Sequence, residues 1–136
     1  MALPLLDTNV LLRHFTGDHE VQSPRASALI KRIGDGELQA QISNQVIFEA
    51  AFTLQKVYRV PRERIVEALK EVLDLDGLVL NGKDRWPPVF DLFTSSPRLS
   101  FVDCYHVVYM QRYELNEILT WDREFDRVAG ITRIEP

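Results

Sequence analysis

Cysteine is nearly missing from this 136-residue chain: Cys104 is the only one, so no intramolecular disulfide can brace it. Such usage fits a reducing compartment. Long apolar runs are missing as well. The opening stretch Ala2 to Leu6 meets an acid at Asp7, so neither a signal peptide nor a membrane span is expected, and a cytoplasmic location is. With no low-complexity tract, internal repeat or linker-like stretch, a single domain over residues 1–136 is expected. None of the three histidines has zinc-motif spacing. An excess of positive charge is also lacking. Twenty acids against sixteen bases leave a net charge of −4, which excludes a generic polyanion binder. Twelve of those bases are nevertheless arginine, whose planar fork suits phosphate. A chain of this kind needs local basic patches or metal ions to approach phosphates.

What is present is an ordinary globular composition, 46% hydrophobic and 26% charged. The run Leu3-Pro4-Leu5-Leu6 is too short for a helix and reads as a buried strand, ending in Asp7-Thr8-Asn9. An acid at a strand's carboxyl end is a functional candidate in an open α/β sheet, and equally a helix N-cap. Helices are expected over Val10 to Phe15, from Pro24 to the stop at Gly34-Asp35-Gly36, from about Asn44 to Tyr58, and from Pro61 to Gly77. Pro87-Pro88 opens another through about Phe93, and Ser100 opens one reaching about Tyr113. Strands are expected at Leu38–Ile42, Leu78–Leu80, Glu117–Thr120 and Ile131–Ile134. Strands thus alternate with helices, and no tight hairpin joins two strands directly. The pattern is α/β, with a mostly parallel sheet of four or five strands.

Four acids stand out. Asp7 and Asp122 follow strands, Asp103 sits three residues after Ser100 at capping-box spacing, and Glu49 is the only charge between Ser43 and Gln55. Capping accounts for three of them and a solvated helix face for Glu49; right-handed crossovers that gather strand ends at one edge account for all four. Two carboxylates roughly 5 Å apart repel by about 3 kcal/mol at an effective dielectric of about 20, so such a cluster demands a counter-ion. All-oxygen ligands favour Mg²⁺ or Mn²⁺, which commonly complete their shells with water and substrate phosphate. That chemistry suits phosphodiester hydrolysis.

Asp7-Thr8-Asn9, Glu49, Phe101-Val102-Asp103-Cys104 and Thr120-Trp121-Asp122, in this order and at these spacings, resemble a PIN domain. The resemblance is closest to the VapC-type toxin nucleases of bacterial VapBC toxin–antitoxin pairs, and it spans nearly the whole chain. It implies a three-layer α/β/α sandwich around the parallel sheet. It also implies that Asp7, Glu49, Asp103 and Asp122 hold one or two Mg²⁺ or Mn²⁺ ions, and that RNA is cut endonucleolytically by metal-activated water. Thr8, Asn9 and Thr120 match polar positions expected to orient the acids or a bound water. Asp126 stands where some members carry a further acid, although an exposed helix residue is the plainer reading. The same resemblance implies a homodimer and a protein antitoxin; the apolar early helices are candidate contacts, with a structural core role as their plainer reading.

Arg13, Arg85, Arg98, Arg112 and Arg123 are candidates for phosphate contact, with plain surface charge as the alternative. His106, one turn beyond Asp103, either borders the site or, as the plainer reading, packs on its helix, and Tyr105, Tyr109 and Tyr113, recurring every fourth residue, read as packing residues rather than base-stacking ones. Two rival functions stay open at this point. One is a phosphoryl-transfer domain of the phosphatase or receiver kind, which shares an acid after the first strand but wants a different partner where Asn9 stands. The other is a non-catalytic α/β binding module whose acids serve only as caps.

Overall fold

The computed structural model describes residues 2–136, which gather into two compact units, one running to Lys83 and the other from Asp84 to Pro136. In the first unit, Asp7 turns an extended N-terminal run into α1 (Thr8–Thr16). Its backbone is extended and its carboxylate accepts the Thr8 amide at 2.9 Å. The helix starts two residues before the apolar periodicity predicts, because the cap sets the first turn. Gly17, at φ +62°, closes it in the left-handed conformation that glycine adopts freely.

Helix α2 (Gln22–Gly34) also begins earlier than the expected Pro24. His19 is the unforeseen start signal: its Nδ1 accepts the amides of Val21 and Gln22 at 3.2 and 2.9 Å. Pro24 sits harmlessly in the first turn, where no amide partner is needed.

Strands β1 (Ala40–Gln41) and β2 (Leu78–Val79) pair in parallel. The run read as a buried first strand adds a single parallel bridge, Leu5 to Gln41, with Leu6 buried and Leu5 66% exposed. Its backbone is held by Gln41 N–H to the Pro4 carbonyl at 2.9 Å and Leu6 N–H to the Gln41 carbonyl at 2.8 Å. Ahead of β2, the chain passes so close to the Ile33 and Leu38 carbonyls that a Cβ on Gly77 would collide with both. Helix α3 (Asn44–Lys56) buries Val46, Ile47, Ala50, Ala51 and Leu54, and α4 (Arg62–Leu73) buries Ile65, Val66, Leu69, Val72 and Leu73. Because the N-terminal run and β1 lie parallel, the N-termini of α1 and α3 share one edge of this small sheet.

The second unit is built on an aromatic core. In α5 (Trp86–Ser95), Pro87 and Pro88 occupy the first turn and leave Trp86, Val89, Phe90 and Phe93 buried. The Trp86 ring stacks nearly parallel on Phe101 of α6 (Phe101–Arg112) at 5.8 Å, and Phe93 meets the same ring edge-on at 5.1 Å. Strands β3 (Glu117–Leu119) and β4 (Thr132–Ile134) pair in parallel, joined through a 3-10 segment, Arg123–Arg127, that buried Phe125 anchors.

Every strand pairing among the described residues is therefore parallel and interleaved with helices, the α/β class read from the sequence. The strands are shorter than predicted, two or three residues each, and they pair as one ladder in each unit. Among the described residues no helix is long and apolar enough to cross a membrane.

Candidate active site

In the first unit, Thr8 links two of the predicted acids. It is 2% exposed, and a buried hydroxyl needs an acceptor. The acceptor is Glu49 Oε2 at 3.0 Å. The glutamate that capping leaves unexplained is thus fastened to the residue directly after Asp7. Glu49 is itself exposed, as a solvated helix face would have it, but one of its oxygens is held. Asp7 is exposed too, with Oδ1 on the Thr8 amide. Asn9 is exposed on a groove between α1 and α2 that Arg13 and Arg25 also line.

In the second unit, Ser100 and Asp103 form the predicted capping box of α6. The Asp103 amide donates to Ser100 Oγ at 3.1 Å, and the Ser100 amide donates to Asp103 Oδ2 at 3.3 Å. Asp122 follows β3 in a tight polar turn. Its amide donates to Thr120 Oγ1 at 3.0 Å, and its Oδ1 accepts the Glu124 amide at 3.0 Å. Asp103, His106, Thr120 and Asp122 line one groove of about 460 Å³. His106 is exposed on that groove, not packed as expected, because α6 turns its buried side toward Cys104, Val107 and Val108.

All four carboxylates share one feature. Each commits a single oxygen to a bond that fixes the side chain, and among the described residues Asp7 Oδ2, Glu49 Oε1, Asp103 Oδ1 and Asp122 Oδ2 accept no hydrogen bond. Among the described residues none of the four is ion-paired. Capping and ligation are therefore compatible, since an ionised carboxylate has two acceptor oxygens. Asp126 differs: Arg133 takes both of its oxygens, at 3.0 and 3.4 Å, which makes it a strut of β4 on the exposed surface. Hard, uncommitted carboxylate oxygens are the donor set that suits Mg²⁺ or Mn²⁺. Among the described residues no group of three or more His, Cys, Asp or Glu is positioned to hold a metal ion. A Mg²⁺ ion needs only one or two protein carboxylates, the rest of its shell being water and phosphate.

The arginine candidates divide. Arg13 donates to Gln22 at 2.9 Å and pairs with Asp18 at 3.4 Å, Arg98 lies 4.0 Å from Glu124, and Arg112 pairs with Asp84 at 3.0 Å. Arg85 donates to the Tyr105 hydroxyl at 2.8 Å, and Arg123 is exposed. Of the three tyrosines expected to pack, Tyr105 does so against Trp86 at 5.5 Å, while Tyr109 and Tyr113 stand in solvent. Sequence periodicity places all three on one line of the helix but carries no signal of how deep that line lies.

A family model described as PIN domain matches residues 5–131, a span that includes all four acids together with Thr8, Asn9, Thr120 and Asp126. No curated protein matched the chain. PIN domains are generally nucleases that act on nucleic acid and use divalent metal ions. With residues 5–131 of 136 covered by that match, the chain belongs to the PIN-domain family.

Proposed function

We propose that the chain is a metal-dependent endoribonuclease of the VapC toxin type, with Asp7, Glu49, Asp103 and Asp122 as its working carboxylates. Its cofactor is one or two ions of Mg²⁺ or Mn²⁺. The observation that carries this reading is the division within each carboxylate, one oxygen fixed by the fold and the other uncommitted. A divalent cation, when bound, neutralises phosphate charge and acidifies water. The chain's own residues supply the positioning. Thr8 holds Glu49, Ser100 holds Asp103 through the first turn of α6, and Thr120 shapes the turn that presents Asp122. Asn9 contributes polar contact beside Asp7, and Asp126 acts only through Arg133. The toxin-type reading carries with it a cytoplasmic homodimer and a protein antitoxin that restrains it.

Cleavage of an end-labelled single-stranded RNA tests this. The purified chain is expected to cut it with Mg²⁺ or Mn²⁺ and to stop in chelator, while Asp7→Asn and Asp103→Asn abolish cutting and keep the fold. Cleavage at the parent rate by either variant, purified free of contaminating ribonuclease, overturns the assignment.

A further inference from the structure

We propose that Tyr109 and Tyr113, flanked by Arg85 and Arg112, form a stacking platform for the bases of a single-stranded nucleic acid. The proposal deepens the nuclease reading and rests on it. Tyr105, Tyr109 and Tyr113 fall on one line of α6 and its C-cap, with ring centroids 6.4 Å and then 4.6 Å apart. The column climbs from core to solvent: Tyr105 lies on Trp86, whereas Tyr109 is 46% and Tyr113 57% exposed. A lone exposed aromatic needs no explanation, but two in line beside two guanidinium groups do.

Both arginines line the same cleft as the three tyrosines. Arg85 reaches the Tyr105 hydroxyl, yet its Nε is buried without a hydrogen-bond partner, an unmet donor. Arg112 is paired with Asp84 and remains 38% exposed. The two guanidinium groups thus sit beside the exposed rings, with Asp84 paired to only one of them. A polyanion with flat apolar bases complements both features, whereas an apolar protein partner has no use for the guanidinium groups.

The platform is also continuous with the candidate site. Tyr109 lines the groove of Asp103 and Asp122 as well as the tyrosine cleft. At about 1.5 Å rise per residue, Tyr109 and Tyr113 lie roughly 9 and 15 Å along the helix from Asp103. A strand with a phosphate at that groove therefore passes over the tyrosines within a few nucleotides. Every base offers a π-face when unpaired and hides it in a duplex, so the platform selects single strands without reading sequence.

The test is fluorescence anisotropy on the full chain carrying Asp7→Asn, with Mg²⁺ present, against a short labelled RNA single strand and its duplex. Tyr109→Ala and Tyr113→Ala, each melting like the parent, are expected to weaken single-strand binding about ten-fold, with Tyr113→Phe unchanged and duplex affinity unaltered. Alanine variants that bind the strand as the parent does overturn the platform and leave the nuclease reading standing. A Phe variant as weak as the Ala variant overturns stacking in favour of a hydroxyl contact. If Tyr113→Ala lowers the sedimenting mass with affinity intact, a second copy of the chain covers this face and the proposal falls. If the Asp7→Asn chain binds no single strand, the platform falls, and the cleavage assay on the unaltered chain decides the nuclease reading separately.

Discussion

Replacing Thr8 by valine isolates the one contact that ties Glu49 to the start of α1. Thr8 is buried, and its hydroxyl stands 3.0 Å from Glu49 Oε2. Valine keeps the shape and removes only the hydroxyl, so no donor is stranded in the core, and exposed Glu49 takes water in exchange. A hydrogen bond to a charged group is worth roughly 1.5–3 kcal/mol, and rehydration of the glutamate reduces the net loss to about 1 kcal/mol. For a chain of this size that lowers the melting temperature by about 3–5 °C. Cleavage should suffer more than stability. A glutamate freed to sample its rotamers loses the geometry the reaction needs, so kcat should fall about ten-fold with KM for RNA little changed. The assay is a double-mutant cycle of Thr8→Val with Glu49→Ala, read by melting and by single-turnover cleavage. Thr8→Val is expected to cost no further activity once Glu49 is replaced. Fully additive losses would refute the link.

Other changes test the scaffold. Ser100→Ala removes the oxygen that accepts the Asp103 amide at the start of α6 and should lower stability by about 1 kcal/mol in a urea titration, most of it restored by Ser100→Thr. Gly77→Ala drives a methyl group into two backbone carbonyls and should destabilise by about 3 kcal/mol or yield insoluble protein; a melt like the parent's contradicts the close approach. Burial holds the His14 imidazole below its ordinary pKa, partly opposed by nearby Glu71, so the unfolded chain takes up the proton first. The stability tied to neutral His14 is therefore full above the ordinary histidine value of about 6.5, and falls as pH drops from there through the lowered folded value. Melting temperature should drop between pH 7.5 and 5.5, with a shallower slope in His14→Gln; an equal slope contradicts this.

Caps were the most legible part of the molecule. Ser100-x-x-Asp103 announces α6, and Asp7 announces a helix start, because these side chains bond to their own neighbours and the whole motif lies within four residues. His19 capping α2 was not legible, since imidazole is not among the usual cap side chains. The extent of the strands is less legible: Leu3 to Leu6 is apolar enough for a strand, but a single bridge to Gln41 is formed, and apolarity carries no register. The Thr8–Glu49 bond spans 41 residues, so its partners are visible in the sequence and their meeting is not. His106, Tyr109 and Tyr113 are legible as residues of one helix, but their depth is not. Their exposure depends on how α6 rotates its Cys104 and Val107 side inward, which apolar residues spread nearly evenly around that helix leave undetermined.

The most direct test of the carboxylate site is thermal melting of the chelator-stripped chain titrated with Mg²⁺ and Mn²⁺, beside Asp7→Asn and Asp103→Asn. Binding to the folded state alone raises the melting temperature with cation concentration. A saturable rise in the parent, absent from both variants, is the predicted result. No rise, or an equal rise in all three, would contradict the assignment of these acids as cation ligands.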